Sequence, residues 1–426
     1  MNIPYRSIRG MHDLLPVDTC ILSQIEEKIK NTLNNYAYFE IRFPIVEETG
    51  LFEKAIGNNT DIIHKEMYNF YDKKKKKISL RPEGTVSCIR ACIQNNIFYN
   101  SPVQKFWYHG PMFRYERPQK GRFRQFHQLG VECFGLKSTI IDYEIILLTL
   151  KIWEQLKILP YLKLEINSIG SIQDRKNFSL DLQIFFKKHI SQLSSHEKYL
   201  LSNNPIRILD SKNSNIIQLL KSAPILNSYL SLSANIRFNK LCRLLNQANI
   251  NYVVNKQLVR GLDYYNDTVF EWTSDILGAQ KALCAGGRYD SLIKYLGGKN
   301  NPAIGFAIGM DRLYILKKTV YQLDHRALFI DINILFLESV YAVLAINISE
   351  KLRLLWPHLK INTYLKTIKK NNYTKFSKQV KSKFLLILSS DTLNLNKIIV
   401  QDLISQKKTI ISFNRIFQNP CMFKNQ

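Results

Sequence analysis

Between Phe113 and Gly135 the chain reads FRYERPQKGRFRQFHQLGVECFG, with cations, an aromatic ring, an amide and a carboxylate at two-residue spacing. A β-strand turns successive side chains to opposite faces. On that rule Arg122, Arg124, Phe126, Gln128, Gly130 and Glu132 share one face. His127, Leu129, Val131 and Cys133 share the other, which can enter a core. Met112 to Glu116 ends a preceding strand, and Arg117, Pro118, Gln119, Lys120 and Gly121 form the turn, because Pro and Gly interrupt regular structure. The polar face suits a ligand with an anionic end, a flat ring and a cationic end. The competing reading is a solvated hairpin whose charges only pair with one another. The mixture of groups and the gap at Gly130 favour the ligand face.

Four further stretches carry candidate chemistry. In SLRPEGT, Ser79 to Thr85, Pro82 and Gly84 shape a strand-to-helix turn that presents the Glu83 carboxylate and the Thr85 hydroxyl. Capping of the next helix by Thr85 is the competing role. In LVRGLDYYNDTVFEW, Arg260, Asp263, Tyr264 and Tyr265 surround one glycine ahead of a β-run. In CAGGRYD, Cys284 to Asp290, two glycines permit close backbone approach, expected toward a substrate. In NPAIGFAIGMDRL a glycine-spaced strand leads into a helix opening at about Met310. Arg312 then falls in the first helical turn, where the dipole favours an anionic phosphate. Its competing role is to pair with Asp311.

The intervening segments must position these groups. Ile21, Leu22, Ile25, Ile29, Leu33 and Tyr36 follow helical spacing, predicting a helix over about 18–35. Glu40 to Phe52, EIRFPIVEETGLF, reads as a buried strand. Lys73 to Lys77 are five consecutive lysines, read as a solvated hairpin tip, with RNA contact as the alternative. Val86 to Gln94 and Asp142 to Leu156 read as helices, and Leu162 to Ser171 as a strand and turn. Residues from about Ile172 to Ile250 read mainly as helices. From Leu328 strand and helix alternate again, as in a small α/β domain.

The 426 residues predict two or three domains. No apolar run approaches the ~20 residues of a membrane helix. The N-terminus lacks an apolar signal region, so a cytoplasmic protein with no membrane partner is expected. The seven cysteines are scattered, and no second pair or histidine cluster completes a metal site around Cys88 and Cys92, so no protein-bound metal is expected. The net charge of +26 suggests a polyanionic partner, nucleic acid first. Drift toward Lys, Asn and Ile from AT-rich coding is the competing explanation. From Asp331 onward 15 basic residues face 5 acidic ones, a net +10 in 96 residues, about twice the density of the rest.

An Arg ending one strand, a flexible acidic loop and an aromatic residue in the return strand make up motif two of the class II aminoacyl-tRNA synthetases. ERPQKGRFRQFHQLGVECFG is similar to the histidine-specific family, the histidyl-tRNA synthetases. Glu40 to Phe52 resembles motif one, which builds the dimer interface in that class, and Asn301 to Leu313 resembles motif three. RPEGT, the Arg260–Tyr265 cluster and CAGGRYD resemble further elements of the family, in the right order. The resemblance implies an α+β fold: a class II antiparallel sheet with flanking helices as a catalytic domain, 1–326. It also implies a helical insertion at about 172–250, leaning toward the tRNA acceptor stem, and a C-terminal α/β anticodon-binding domain, 327–426.

The same resemblance implies ATP-dependent ligation of L-histidine to its tRNA through histidyl-adenylate, by a homodimer, with ATP as substrate and Mg²⁺ accompanying it. By resemblance Arg114 and Arg260 flank the α-phosphate, Arg122 and Arg312 hold the outer phosphates, and Phe126 stacks on adenine. Glu132 and Tyr265 take the imidazole nitrogens, with Glu83, Thr85, Gln128 and Tyr264 around the amino end. Tyr115 stands where the family usually has His; alternation turns it away from Arg114. Asp311 stands where Glu is common. In the C-terminal domain Lys and Asn replace many glycine and small-residue positions. Two rivals are a regulatory, non-catalytic paralog acting in histidine biosynthesis and a plain RNA-binding module. Such paralogs lack the C-terminal domain and lose the arginines, both kept here. An RNA-binding module would not need a histidine pocket.

Overall fold

The computed structural model describes residues 5–57, 60–101, 103–211, 213–278, 280–321, 330–368 and 382–418. They fall into two compact units: one holds the described residues through 321 apart from 15–20, the other holds 15–20 and those from 330 onward. The expected boundary at 326/327 lies outside the described residues.

The first unit contains strands β1 (Phe39–Glu40), β2 (Val46–Glu48), β3 (Asn69–Tyr71), β4 (Lys77–Leu80), β5 (Gln104–Phe113) and β6 (Gln125–Phe134), then β7 (Lys163–Ser168), β8 (Val253–Val254), β9 (Asn266–Thr273), β10 (Ala282–Arg288) and β11 (Ala303–Gly309). Among the described residues the main sheet runs β1-β5-β6-β11-β10-β9-β7-β8. Its six inner strands pair antiparallel, and the two short edge strands pair parallel. A smaller sheet runs β2-β4-β3. The α+β expectation holds.

The helix Pro16–Asn35 buries Ile21, Leu22, Ile25, Ile29 and Leu33, the stripe its spacing predicts. The helix Thr139–Gln155 starts where the Ser138 side chain accepts the Ile140 N–H at 3.2 Å. One charged pair is fully enclosed: Arg288 at the end of β10 donates from Nε to both carboxylate oxygens of Asp142 in this helix, at 2.8 and 3.0 Å.

Between 172 and 250 the chain is helical, as expected, with the helices Ile172–Lys187, Ser195–Asn203 and Leu232–Gln247. The first two open on capping boxes, Ser171 with Asp174 and Ser194 with Glu197, each satisfying two otherwise orphaned N–H groups. Phe178, Leu182, Phe186 and Ile208 from this segment lie in the same apolar core as Tyr108, Tyr264, Tyr265, Val269 and Tyr289.

Glu40 to Phe52 departs from the buried strand expected of it. Pro44, which has no N–H to donate, lies between the short strands β1 and β2, and the helix Thr49–Ile56 follows. Phe39, Ile45 and Val46 are 68%, 41% and 40% exposed, an apolar edge that this single chain leaves open.

The second unit contains β12 (Ile330–Phe336), β13 (Ile361–Thr363), β14 (Ser382–Leu388), β15 (Lys397–Asp402) and β16 (Lys408–Ser412), ordered β13-β12-β14-β15-β16. The first three are parallel and the last two antiparallel. The helix Ala342–Leu355 buries Ala345, Ile348 and Leu352 in a core with Ile332, Ile334 and Leu386. This is the small α/β unit read from the alternation.

Candidate active site

Eleven of the nominated side chains meet at one cavity of about 220 Å³; Arg124 and Asp263 do not line it. Glu83 and Thr85 come from the start of the helix Thr85–Gln94, Arg114 from just beyond β5, Arg122 from the turn, and Phe126, Gln128 and Glu132 from β6. Arg260, Tyr264 and Tyr265 come from the loop before β9, and Arg312 from the first turn of the helix Met310–Tyr321. The parity argument holds inside β6, where Phe126, Gln128 and Glu132 share the cavity face.

The cavity holds a clamped acid. Glu132 is 1% exposed. Its Oε1 accepts the Thr85 hydroxyl at 2.8 Å and the Tyr108 hydroxyl at 2.9 Å, and its Oε2 accepts the Tyr289 hydroxyl. Burial pushes the carboxyl up to about 8; the Tyr289, Thr85 and Tyr108 hydroxyls work against that shift, and nearby Glu83 adds to it. A carboxylate has about four lone-pair sites, so three hydroxyls leave room for one further donor.

Tyr108 and Tyr289 were not nominated from the sequence. Tyr289 stands inside the quoted CAGGRYD stretch, so a signal was present. For Tyr108 the signal is a pair of glycines. A Cβ on Gly130 would lie 2.1 Å from the Tyr108 ring, and one on Gly84 would also lie 2.1 Å from it. Tyr108 sits directly across from Gly130 in the β5/β6 register. The gap in the polar face is therefore a seat for Tyr108 and not an opening for ligand.

Glu83 has a second task. Its two oxygens accept the N–H groups of Thr85 and Val86 at 2.8 and 2.7 Å. The helix is thus capped by Glu83, whereas the sequence reading offered that role to Thr85, whose hydroxyl goes to Glu132 instead. Burial raises the Glu83 pKa, opposed by these backbone bonds and by Arg114.

The same cavity is lined by four arginines. The Arg114 guanidinium lies 5.3 Å over the Phe126 ring, and its Nε donates to the Pro82 carbonyl at 2.9 Å. Arg122 pairs with Glu116. Arg260 donates to Glu271 at 2.5 Å, and its loop is tied to the helical segment by Arg207 donating to the Gly261 carbonyl at 2.5 Å and Asn204 to Asp263 at 3.0 Å. Arg312 donates to the carbonyls of Gly121 and Ala282, both at 2.7 Å. Burial, then the charges of Arg122 and Arg114, lower its pKa to about 10. Asp311 accepts the backbone N–H of His127 at 2.6 Å, and no ion pair joins it to Arg312 among the described residues. The charges of Arg122 and Arg114 bear on Arg312, and an anion placed among these cations would relieve their repulsion.

A family model described as histidyl-tRNA synthetase matches residues 10–313. The chain belongs to the histidyl-tRNA synthetase family. It is 46% identical to the histidine–tRNA ligase of Buchnera aphidicola subsp. Schizaphis graminum, over 98% of this chain and 99% of that one. It is 47% identical to the histidine–tRNA ligase of Buchnera aphidicola subsp. Baizongia pistaciae, over 99% of both. The apo histidyl-tRNA synthetase structure from S. aureus aligns with a TM-score of 0.79 at 29% identity, over 97% of this chain and 99% of that one.

Two expectations, for Arg124 from strand parity and for the glycines of CAGGRYD, are revised by this member's geometry. Arg124 is not among the described residues lining the cavity. The turn before β6 is irregular, its N–H donates to the Gly10 carbonyl at 2.7 Å, and its guanidinium lies 3.7 Å over the Tyr115 ring. Gly286 and Gly287 approach neighbouring strands and not the cavity: added Cβ atoms would meet the Gly305 and Thr268 carbonyls at 2.3 and 2.5 Å. Tyr115, the residue in place of the usual His, is not among the described residues lining the cavity, in line with the alternation that turned it away; it packs against Tyr68 with ring centroids 5.7 Å apart.

Proposed function

We propose that this chain joins L-histidine to its tRNA in two steps. The histidine carboxylate attacks the α-phosphorus of ATP, expelling pyrophosphate and leaving histidyl-adenylate. The terminal ribose hydroxyl of the tRNA then attacks the adenylate carbonyl and releases AMP. The observation that carries this reading is a single cavity lined by a clamped buried carboxyl and by four arginines. Full-length similarity to histidine–tRNA ligases supports it, and the retained arginines and C-terminal unit argue against the regulatory paralog.

Charge builds on the α-phosphate oxygens as the carboxylate attacks, and fixed cations there lower the barrier. Arg114 and Arg260 fill that role, and Arg122 and Arg312 hold the outer phosphates. ATP arrives with Mg²⁺ as part of the substrate and shares the negative charge of those phosphates. Phe126, with Arg114 over one face, offers the other to adenine. Glu132 and Tyr265 take the two imidazole nitrogens, with Glu83, Thr85, Gln128 and Tyr264 around the ammonium. A competing amino acid leaves those buried groups unpaired, which can enforce discrimination of roughly 10⁴ to 10⁵.

Residues 1–326 form the catalytic domain in this reading, the helices at about 172–250 approach the acceptor stem, and 327–426 read the anticodon. The open edge of Phe39, Ile45 and Val46 supports a homodimer. Among the described residues no helix is long and apolar enough to cross a membrane, and the reading places the protein in the cytoplasm. Histidine-dependent exchange of labelled pyrophosphate into ATP tests the first step, and charging of the tRNA tests the second. A folded chain with no histidine-dependent exchange overturns the proposal.

A further inference from the structure

The lysine run has a defined shape. Strands β3 and β4 pair with Tyr71 opposite Lys77. Asp72 ties the turn between them: its Oδ1 accepts the N–H groups of Lys74 and Lys76 at 2.8 Å each, and its carbonyl accepts that of Lys75 at 3.0 Å. Lys75 takes the left-handed conformation, φ 62°, that such a turn needs. Lys76 pairs with Glu48 and Lys77 with Glu53. Lys73, Lys74 and Lys75 are exposed, and among the described residues no carboxylate lies within ion-pair distance of them. The tip is therefore a bound turn presenting three cations, not a loose charged loop.

The root of this hairpin lies at the cavity. The Glu66 carbonyl accepts the Tyr115 N–H at 2.6 Å, and its carboxylate is 4.0 Å from Arg122, which lines the cavity. From Tyr68 to Lys73 the chain runs five residues, so the tip begins about 17 Å from Tyr68 at ~3.3 Å per residue. A stacked strand advances ~3.4 Å per nucleotide, so this reach covers about five nucleotides of any strand whose end enters the cavity.

We propose that Lys73, Lys74 and Lys75 form a phosphate-binding tip for the acceptor end of the tRNA, an inference resting on the reading that tRNA is the second substrate. Paired Lys76 and Lys77 brace the tip, and the three forward lysines release counterions from the RNA backbone.

The test replaces Lys73, Lys74 and Lys75 together with Gln in the full chain. Binding of the histidine tRNA, and of a minihelix carrying only its acceptor stem, is measured against salt. Histidine-dependent pyrophosphate exchange, which involves no tRNA, and thermal unfolding report that the fold is intact. The log–log salt slope should fall by about 2 to 3 for both RNAs, at ~0.7–0.9 per lost phosphate contact. Affinity at 0.1 M salt should drop about 10²-fold, and the corresponding Arg triple should restore it. Unchanged affinity and slope overturn the tip and leave compositional drift as the source of the run. A change with whole tRNA but not with the minihelix overturns its placement at the acceptor end. A wild-type chain that exchanges pyrophosphate yet neither binds nor charges the tRNA overturns the tRNA reading, and the tip with it.

Discussion

Replacing Gly130 with Ala should break the hydroxyl cluster around Glu132 without replacing any group that contacts histidine. The new Cβ would stand 2.1 Å from the Tyr108 ring carbon Cζ and 2.2 Å from its hydroxyl. Ordinary contact begins near 3.4 Å, so the ring must retreat by more than an ångström. It cannot retreat toward Gly84, where the fit is equally tight. Overpacking of this kind costs about 1–3 kcal/mol. Displacing the Tyr108 hydroxyl also removes a 2.9 Å bond from a buried carboxyl, worth about 1–3 kcal/mol more. Together these reach a sizeable part of the ~5–15 kcal/mol that holds a domain folded. Thermal unfolding and the histidine KM in pyrophosphate exchange read the two losses separately. Adding Tyr108→Leu to Gly130→Ala should relieve the clash and recover part of the thermal midpoint, while KM stays high because Glu132 still lacks that hydroxyl. A Gly130→Ala protein with wild-type midpoint and KM would refute the seat, and recovery of KM in the double variant would refute the role of the hydroxyl.

Arg260→Ala should slow adenylate formation by about 2.7–4 kcal/mol, as for a lost oxyanion donor, with histidine still bound; a near-wild-type single-turnover rate would remove Arg260 from the chemistry. Glu132→Gln should flatten the pH dependence of stability. Glu132 in the folded chain keeps its proton to about 8, against an ordinary 4.5. The unfolded chain releases that proton between these values, so the group's contribution falls as pH rises through the window and levels off above it; an equally steep profile in the variant would show that another group titrates there. Light scattering should give a C2 dimer, and a mass near one chain, 49.8 kDa, across the micromolar range would contradict it. Deleting 331–426 should spare pyrophosphate exchange but lower tRNA charging and its salt dependence; unimpaired charging would show that the C-terminal unit is no anticodon reader.

Much of the site was legible because its groups sit in regular structure. Phe126, Gln128 and Glu132 share a face by parity inside β6. Arg122 reaches the same cavity from the turn, outside the strand, so parity placed it correctly for an insufficient reason. Arg124 shows the limit: the same parity put it on the ligand face, and a backbone bond to Gly10 turned it onto Tyr115. Tyr108 stayed hidden because its partner is chosen by register across strands, which spacing along one strand does not encode. Glu83 was seen as a ligand group but not as a helix cap, since Thr85 is the commoner capping residue. The edge around Val46 reads as buried from its composition, while Phe39, Ile45 and Val46 stand exposed.

The core shared between the 172–250 helices and the active-site tyrosines bears on how far this enzyme can be pared down. An insertion read along the chain suggests a cassette that could be excised and its ends rejoined. Here Phe178, Leu182, Phe186 and Ile208 pack in one interior with Tyr264 and Tyr265, and Arg207 and Asn204 hold the loop that carries Arg260. Excision would open that interior to water and free the loop. The segment is inserted in sequence but not modular in architecture, and a minimal version of this catalyst has to keep it.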